Sequence, residues 1–304
     1  MMRTFEHIRD GEAPASVVSV FVDARHCLRT TWVPLPIRAL ATRQEALKPI
    51  WQQLRPNLLT RACEESADDL RTHLATAAVE LGTPLIEPVL LAEGLDVDAI
   101  DEVREVVDAF HYVNPKLLVL LAALVEASRG QAVGGAHLPP PLMETFQPGS
   151  IPDEMPEIVP LPEEPGGLTG EIFHAILETT HLPVATPDLR VLGRWPHLLE
   201  AAWPALKPVF QHKALERVIE GLRKEAIAAA RALPHRMTFG VDEETQGALV
   251  ALTPALQVLF DGGLRLALFA AAMKVSLDGV EDALASPHPI EWTGDDELEQ
   301  PLET

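Results

Sequence analysis

The chain has 304 residues, 47 % of them hydrophobic and 23 % charged, which is a globular balance with length for one large domain or two smaller ones. A net charge of −21 repels nucleic acid and anionic membranes, so neither is an expected partner. Cys27 and Cys63 form no CxxC and the opening MMRTFEHIRDGEAP has no apolar signal region, so the expected setting is a reducing cytoplasm.

Ala and Leu are abundant and strand-like alternation is scarce, which predicts an all-α protein. Ala15 to Leu28 reads as a first helix. Thr30 to Pro36 (TTWVPLP) cannot continue it, because Pro34 and Pro36 push their preceding residues extended. Ile37 to Arg55 carries apolar residues at helical spacing, with a break expected at Pro49. Asn57 is expected to cap a longer helix running to about Leu81, stopped by Gly82-Thr83-Pro84. A short helix over Leu85–Ala92 follows, then one opened by Asp96 or Asp98 and ending near His111. Asn114-Pro115 reads as a fresh helix start, with Asn at the cap and Pro in the first turn of an apolar core helix (LLVLLAALV).

Residues 139–167 hold nine of the 27 prolines and an acidic run, Asp153–Glu164, with no base; this reads as a linker. The second half starts near Leu168, with a helix over Thr169–Leu182 and irregular chain from Pro183 to Pro187. Asp188 and Pro196 each open a helix, Lys213–Leu233 forms a long one, and Asp242–Phe260 and Gly262–Leu277 complete the half. The uncharged runs Leu117–Val125 and Leu266–Met273 are too short to span a bilayer and read as buried core.

The halves are related. At a constant offset of 152, residues 37–71 match 189–223 at ten of 35 ungapped positions, including Trp51/Trp203 and Pro56/Pro208. Chance gives about two or three such matches, so we read an internal duplication. The expected organisation is a first repeat over residues 1–138, a linker over 139–167, a second repeat over 168–290 and an acidic tail over 291–304. In this register Asp188 falls opposite Pro36, so the copies agree in scaffold residues and differ where a carboxylate appears.

The sequence contains no GxxxxGK[ST], GxGxxG, HExxH or GxSxG, and its 11 histidines are scattered, so no nucleotide, cofactor or metal site is expected. Asn114 and Asp188 stand out as polar residues at expected helix starts within apolar surroundings. A cap explains each one alone. A site needs them to converge, which two copies packed about a pseudo-twofold axis would allow.

Five stretches carry a family resemblance: TTWVPLPIRALAT (30–42), AFHYVNPKLL (109–118), AVGGAHLP (132–139), PDLRVLGRWP (187–196) and SLDG (276–279). In this order and spacing they resemble the group I 2-haloacid dehalogenases. The resemblance implies an all-α pseudo-dimer of two repeats, AhpD-like, with the active site between them and no cofactor. It places the catalytic aspartate on Asp188 and the water-positioning asparagine on Asn114. It places the pocket on Trp32, Pro34, Leu35, Leu117, Thr186, Pro187, Leu259, Gly262 and Gly263. The implied reaction is direct displacement of halide from C2 of a short 2-haloacid by an Asp-activated water, with inversion and no covalent ester. Small 2-haloacid and water are then the partners, with a homodimer possible. Leu35, Leu117, Leu259 and Gly262 stand where the family pattern favours aromatics, which keeps open a different hydrolase or an organic-acid binder on the same scaffold. An AhpD-like thiol peroxidase needs a CxxC that this chain lacks.

Overall fold

The computed structural model describes residues 6–161, 166–182, 185–239 and 243–292. Twelve α-helices carry the fold, and no strand occurs among the described residues. The first half contains α1 (Ala15–Leu28), α2 (Leu35–Leu40), α3 (Gln44–Leu58), α4 (Arg61–Glu80), α5 (Glu87–Ala92) and α6 (Val97–Ser128). The second contains α7 (Gly167–Thr180), α8 (Pro187–Leu192), α9 (Pro196–Phe210), α10 (Leu215–Arg231), α11 (Glu243–Asp278) and α12 (Val280–Leu284). The bounds of α1, α2 and α3 recur in α7, α8 and α9 at an offset of 152, the value at which the sequences match. So does the left-handed residue closing the first helix of each half, Arg29 (φ 55) and His181 (φ 56).

Two long helices form the centre. In α6 the entire segment from Leu118 to Val125 is buried, and in α11 so is Leu266 to Leu277. They run antiparallel: Gly263 packs against Leu118, and beyond it Arg129 Nη2 donates to Gln257 Oε1 at 2.6 Å. Helices α4 and α10 flank this pair. By length and composition α6 and α11 could each cross a membrane, but their apolar windows are 89 % and 72 % buried inside the protein. Core packing therefore accounts for their hydrophobicity.

That packing overrides several local signals. Asn114-Pro115 does not start a helix: α6 runs through it without interruption, capped at Asp96, whose side chain accepts from the Asp98 N–H. Pro115 leaves the His111 carbonyl without its usual donor, at a cost of about 3 kcal/mol in a helix interior. Burial of the residues on both sides offsets that cost. Gly262-Gly263 likewise lies inside one continuous α11 rather than at a boundary; Asp242, the expected start, lies outside the described residues. The break in the Ile37–Arg55 segment falls at residues 41–43, and Pro49 sits within α3. Thr60, not Asn57, caps α4 by accepting from the Cys63 N–H. Asn57 instead bridges the halves, donating to the His235 carbonyl and accepting from the His235 N–H, both at 2.8 Å.

The same seam explains the Val133-Gly134-Gly135 turn. Met237 N–H donates to Val133 O at 3.0 Å, and a Cβ on Gly134 (φ +70) would stand 2.2 Å from the His235 carbonyl oxygen. Only glycine lets the two backbones approach this closely. The proline-rich segment after it, as far as Leu161, is irregular apart from a turn at Pro140–Met143, and its earlier part is pinned to the first half. Arg61 N–H donates to Glu144 O at 2.8 Å, and Thr31 Oγ1 to Pro156 O at 2.6 Å. Residues 162–165 of this segment, and the acidic tail from residue 293, lie outside the described residues.

Candidate active site

Four elements meet over an apolar cavity between the halves. Asn114, Leu117, Leu118 and Leu121 reach it from α6, at the i, i+3, i+4, i+7 spacing of one helical face. Val258, Leu259, Gly262, Gly263 and Leu266 reach it from α11. Trp32 and Pro34 come from the chain leading into α2 and Leu35 and Pro36 from its first turn, while Thr186 caps α8 and Asp188 lies in its first turn. The cavity offers about 50 Å³ of room for the centre of a water-sized sphere. One water needs about 10–15 Å³ on that measure, so the space suits a molecule of a few heavy atoms.

Ten of the eleven residues singled out in the sequence line this cavity: Trp32, Pro34, Leu35, Asn114, Leu117, Thr186, Asp188, Leu259, Gly262 and Gly263. Pro187 does not; it is buried at the first position of α8, where a missing N–H costs the helix nothing. The local assignment of Asp188 also shifts. Thr186 is the N-cap residue and Asp188 the second helical residue, its carboxylate turned to the cavity rather than capping the helix. Sequence reasoning missed Pro36, Leu118, Leu121, Leu182, Val258 and Leu266, whose type fits any core helix.

A second, smaller cavity lies on the other side of the Asn114–Asp188 pair, with about 10 Å³ of room. Its other walls are apolar: Val107 and Phe110 from α6, Leu189 and Leu192 from α8, and Leu266, Phe269, Ala270 and Met273 from α11. Phe110 also meets Trp32 edge to face at 5.4 Å, which ties the two cavities into one aromatic wall.

The electrostatics of the pair are set by this dry setting. Burial pushes the Asp188 carboxyl from 3.8 up to about 6, against the opposing pull of Asn114, its own backbone N–H and Arg190. Although the Asp188 residue is partly exposed, its Oδ2 is buried and has no hydrogen-bond partner within the protein. Nδ2 of the buried Asn114 lies close enough to the Asp188 carboxylate to pull its pKa down, yet makes no hydrogen bond of normal geometry, and Oγ1 of Thr186 is likewise buried without a partner. Unpartnered buried polar atoms are costly, on the order of 1–3 kcal/mol each, and mark places where a ligand or water completes the bonding. A carboxylate with a pKa near 6 beside a carboxamide donor can hold a water and take its proton at neutral pH.

The three nearby cations are not part of the cavity lining. Lys116 faces away from it, buried on α6 against Glu64 at 2.5 Å and over the Tyr112 ring at 3.7 Å. Burial alone would lower its pKa, but Glu64 and Tyr112 outweigh that and hold it raised. Arg38 donates to the Ile8 carbonyl at 3.2 Å, and Arg190 acts on Asp188 through its field. Among the described residues, no group of three His, Cys, Asp or Glu side chains is placed to hold a metal ion.

The chain is similar to known proteins in sequence and fold. The family model described as "Halocarboxylic acid dehydrogenase DehI" matches residues 31–158. A solved structure of a D-2-haloacid dehalogenase in complex with L-LA superposes with a TM-score of 0.79 at 25 % identity, covering 90 % of this chain and 96 % of its own. An (R)-2-haloacid dehalogenase of Pseudomonas putida is 27 % identical over 254 residues, 80 % of each chain. A configuration-inverting 2-haloacid dehalogenase of Alcaligenes xylosoxydans xylosoxydans is 30 % identical over 302 residues, covering 94 % of this chain and 98 % of the relative. With that identity sustained over nearly the full length of both chains, the protein belongs to the family of configuration-inverting 2-haloacid dehalogenases.

Proposed function

We propose that the chain is a cofactor-independent hydrolase that displaces halide from C2 of short 2-haloalkanoic acids, with Asp188 as general base and Asn114 holding the water. The observation that carries the reading is the pair itself: a carboxylate raised to about 6 beside a buried carboxamide, both with unpartnered polar atoms, at the wall of a small apolar cavity. Asn114 Nδ2–H donates to the water oxygen while Asp188 accepts a water proton. The water attacks C2 from the face opposite the carbon–halogen bond. A C–O bond forms as the C–halogen bond breaks, leaving the 2-hydroxy acid of inverted configuration, halide, and a proton on Asp188. No ester to the enzyme forms.

The apolar walls suit the alkyl part of the substrate, and the small volume favours short acids. The family membership supports the substrate class. Two repeats packed as an intrachain pseudo-dimer account for the shared 152 offset of sequence and helix bounds. Only the second repeat carries the carboxylate, since Pro36 stands in the first, so each chain has one active site. The test is halide release from both enantiomers of 2-chloropropanoate. The wild type is expected to release halide and Asp188→Asn to release none above background; equal rates from the two proteins would remove Asp188 from the mechanism.

A further inference from the structure

The small cavity beside Asn114 and Asp188 has too little room for an acid, yet it is built from three helices around the two groups proposed to hold the water. Its room of about 10 Å³ is at the threshold for a single water. Apart from Asn114 and Asp188 the described residues lining it are apolar, so among them those two supply its only polar side chains. Asn114 Nδ2, a donor, and Asp188 Oδ2, an acceptor, are buried and unpartnered, and both residues line this cavity as well as the larger one. Water satisfies both at once. A halide satisfies only the amide, is larger than water, and would lie against the Asp188 carboxylate, so the cavity is not a leaving-group site.

Resting on the hydrolytic reading above, we propose that this cavity is a nucleophile chamber, which admits water and excludes larger hydroxylic nucleophiles. The acid enters the larger cavity, and Asn114, Asp188 and Leu266, which line both spaces, stand where the two meet, so a water held there faces C2. The water is thereby drawn from a chamber of fixed size rather than from the solvent around the substrate. Met273 and Val107, both fully buried and absent from the larger cavity, set that size without touching the acid. They are specificity residues for the nucleophile, as the walls of the larger cavity are for the acid.

Methanol is the probe, because it differs from water by one methyl group. Its attack on C2 would form the 2-methoxy acid with loss of halide and a proton, just as water forms the 2-hydroxy acid. Wild type and the Met273→Ala and Val107→Ala variants are given 2-chloropropanoate in water–methanol mixtures, with halide and both products measured. Wild type is expected to yield hydroxy acid alone. The shortened side chains are expected to admit methanol and bring the ether-to-halide ratio to about tenfold or more above the wild-type detection limit, the usual cost of one excluded methyl group. Ether from wild type in proportion to the methanol supplied would overturn the proposal, and so would variants that release halide without added ether. Absence of halide from wild type defeats the hydrolytic reading itself, and the halide assay reports that separately from the product ratio. The wild-type measurement stands alone if either variant fails to fold.

Discussion

Asp188 should make the protein less stable as pH rises, and Asp188→Asn should remove that cost. The folded-state carboxyl is raised from 3.8 to about 6 by burial, so between those values the native state binds a proton that the unfolded chain has lost. Stability from this group is therefore full at low pH and declines as the carboxyl ionises in its dry site. The whole shift of about two units corresponds to about 3 kcal/mol. Between pH 5 and pH 8 the unfolded carboxyl is already ionised, and about one unit of the shift is still to be lost, or about 1.4 kcal/mol. Urea denaturation of wild type and Asp188→Asn at both pH values isolates the effect. Any fixed consequence of placing an amide beside Asn114 cancels in the difference, and the other carboxylates are common to both proteins. The variant's stability relative to wild type should rise by about 1.4 kcal/mol from pH 5 to pH 8. A difference that is flat with pH would refute the raised carboxyl, and with it the base assignment, whatever the variant does to activity.

The same ionisation predicts that halide release climbs through a pH of about 6 and levels above it, because the base must be deprotonated before it can accept a proton; a pH–rate profile at saturating 2-chloropropanoate reads this. Gly263→Ala should trade activity for stability: the added Cβ would stand 3.3 Å from Leu118 Cδ2, and both residues line the cavity, so the space it takes comes from the cavity wall. A helical glycine costs about 0.8–1 kcal/mol against alanine, so thermal denaturation should show a gain of up to that amount while kcat/KM falls. Lys116→Met should cost about 3–5 kcal/mol by leaving Glu64 buried and uncompensated, whereas adding Glu64→Leu should restore most of it, as measured by urea denaturation.

The sequence disclosed the lining of the candidate cavity better than its construction. The segments leading into α2 and α8 were both readable because prolines at 34, 36 and 187 forbid helix before them, and the duplication ties one segment to the other. Asp188 stood out because its counterpart is a proline that can do no chemistry. Asn114 was found for the wrong local reason. Asn-Pro is a strong helix-start signal, and nothing within a few residues of it says that the helix has already run 17 residues from Val97. That outcome is decided by tertiary burial, which keeps α6 whole across a proline that would break an exposed helix. The difference matters for function. A cap residue would turn its side chain to its own backbone, whereas a mid-helix asparagine is free to project into the interior.

The inner chamber was illegible for a related reason. Val107, Phe110, Leu189, Leu192, Phe269, Ala270 and Met273 are ordinary core types at ordinary helical spacing, and a packed core and a core with room for one water use the same alphabet. What separates them is a mismatch of volumes between α6, α8 and α11, which arises only once the three helices are docked. The chemistry follows from that mismatch. Filled with a side chain, the same position would leave Asp188 Oδ2 and Asn114 Nδ2 sealed against hydrocarbon, and the carboxyl would stay protonated at neutral pH. Opened to solvent, the carboxyl would fall back toward 3.8 and weaken as a base. An apolar space of single-water size is the intermediate case, in which a carboxyl raised by burial to about 6 has room for a water beside it.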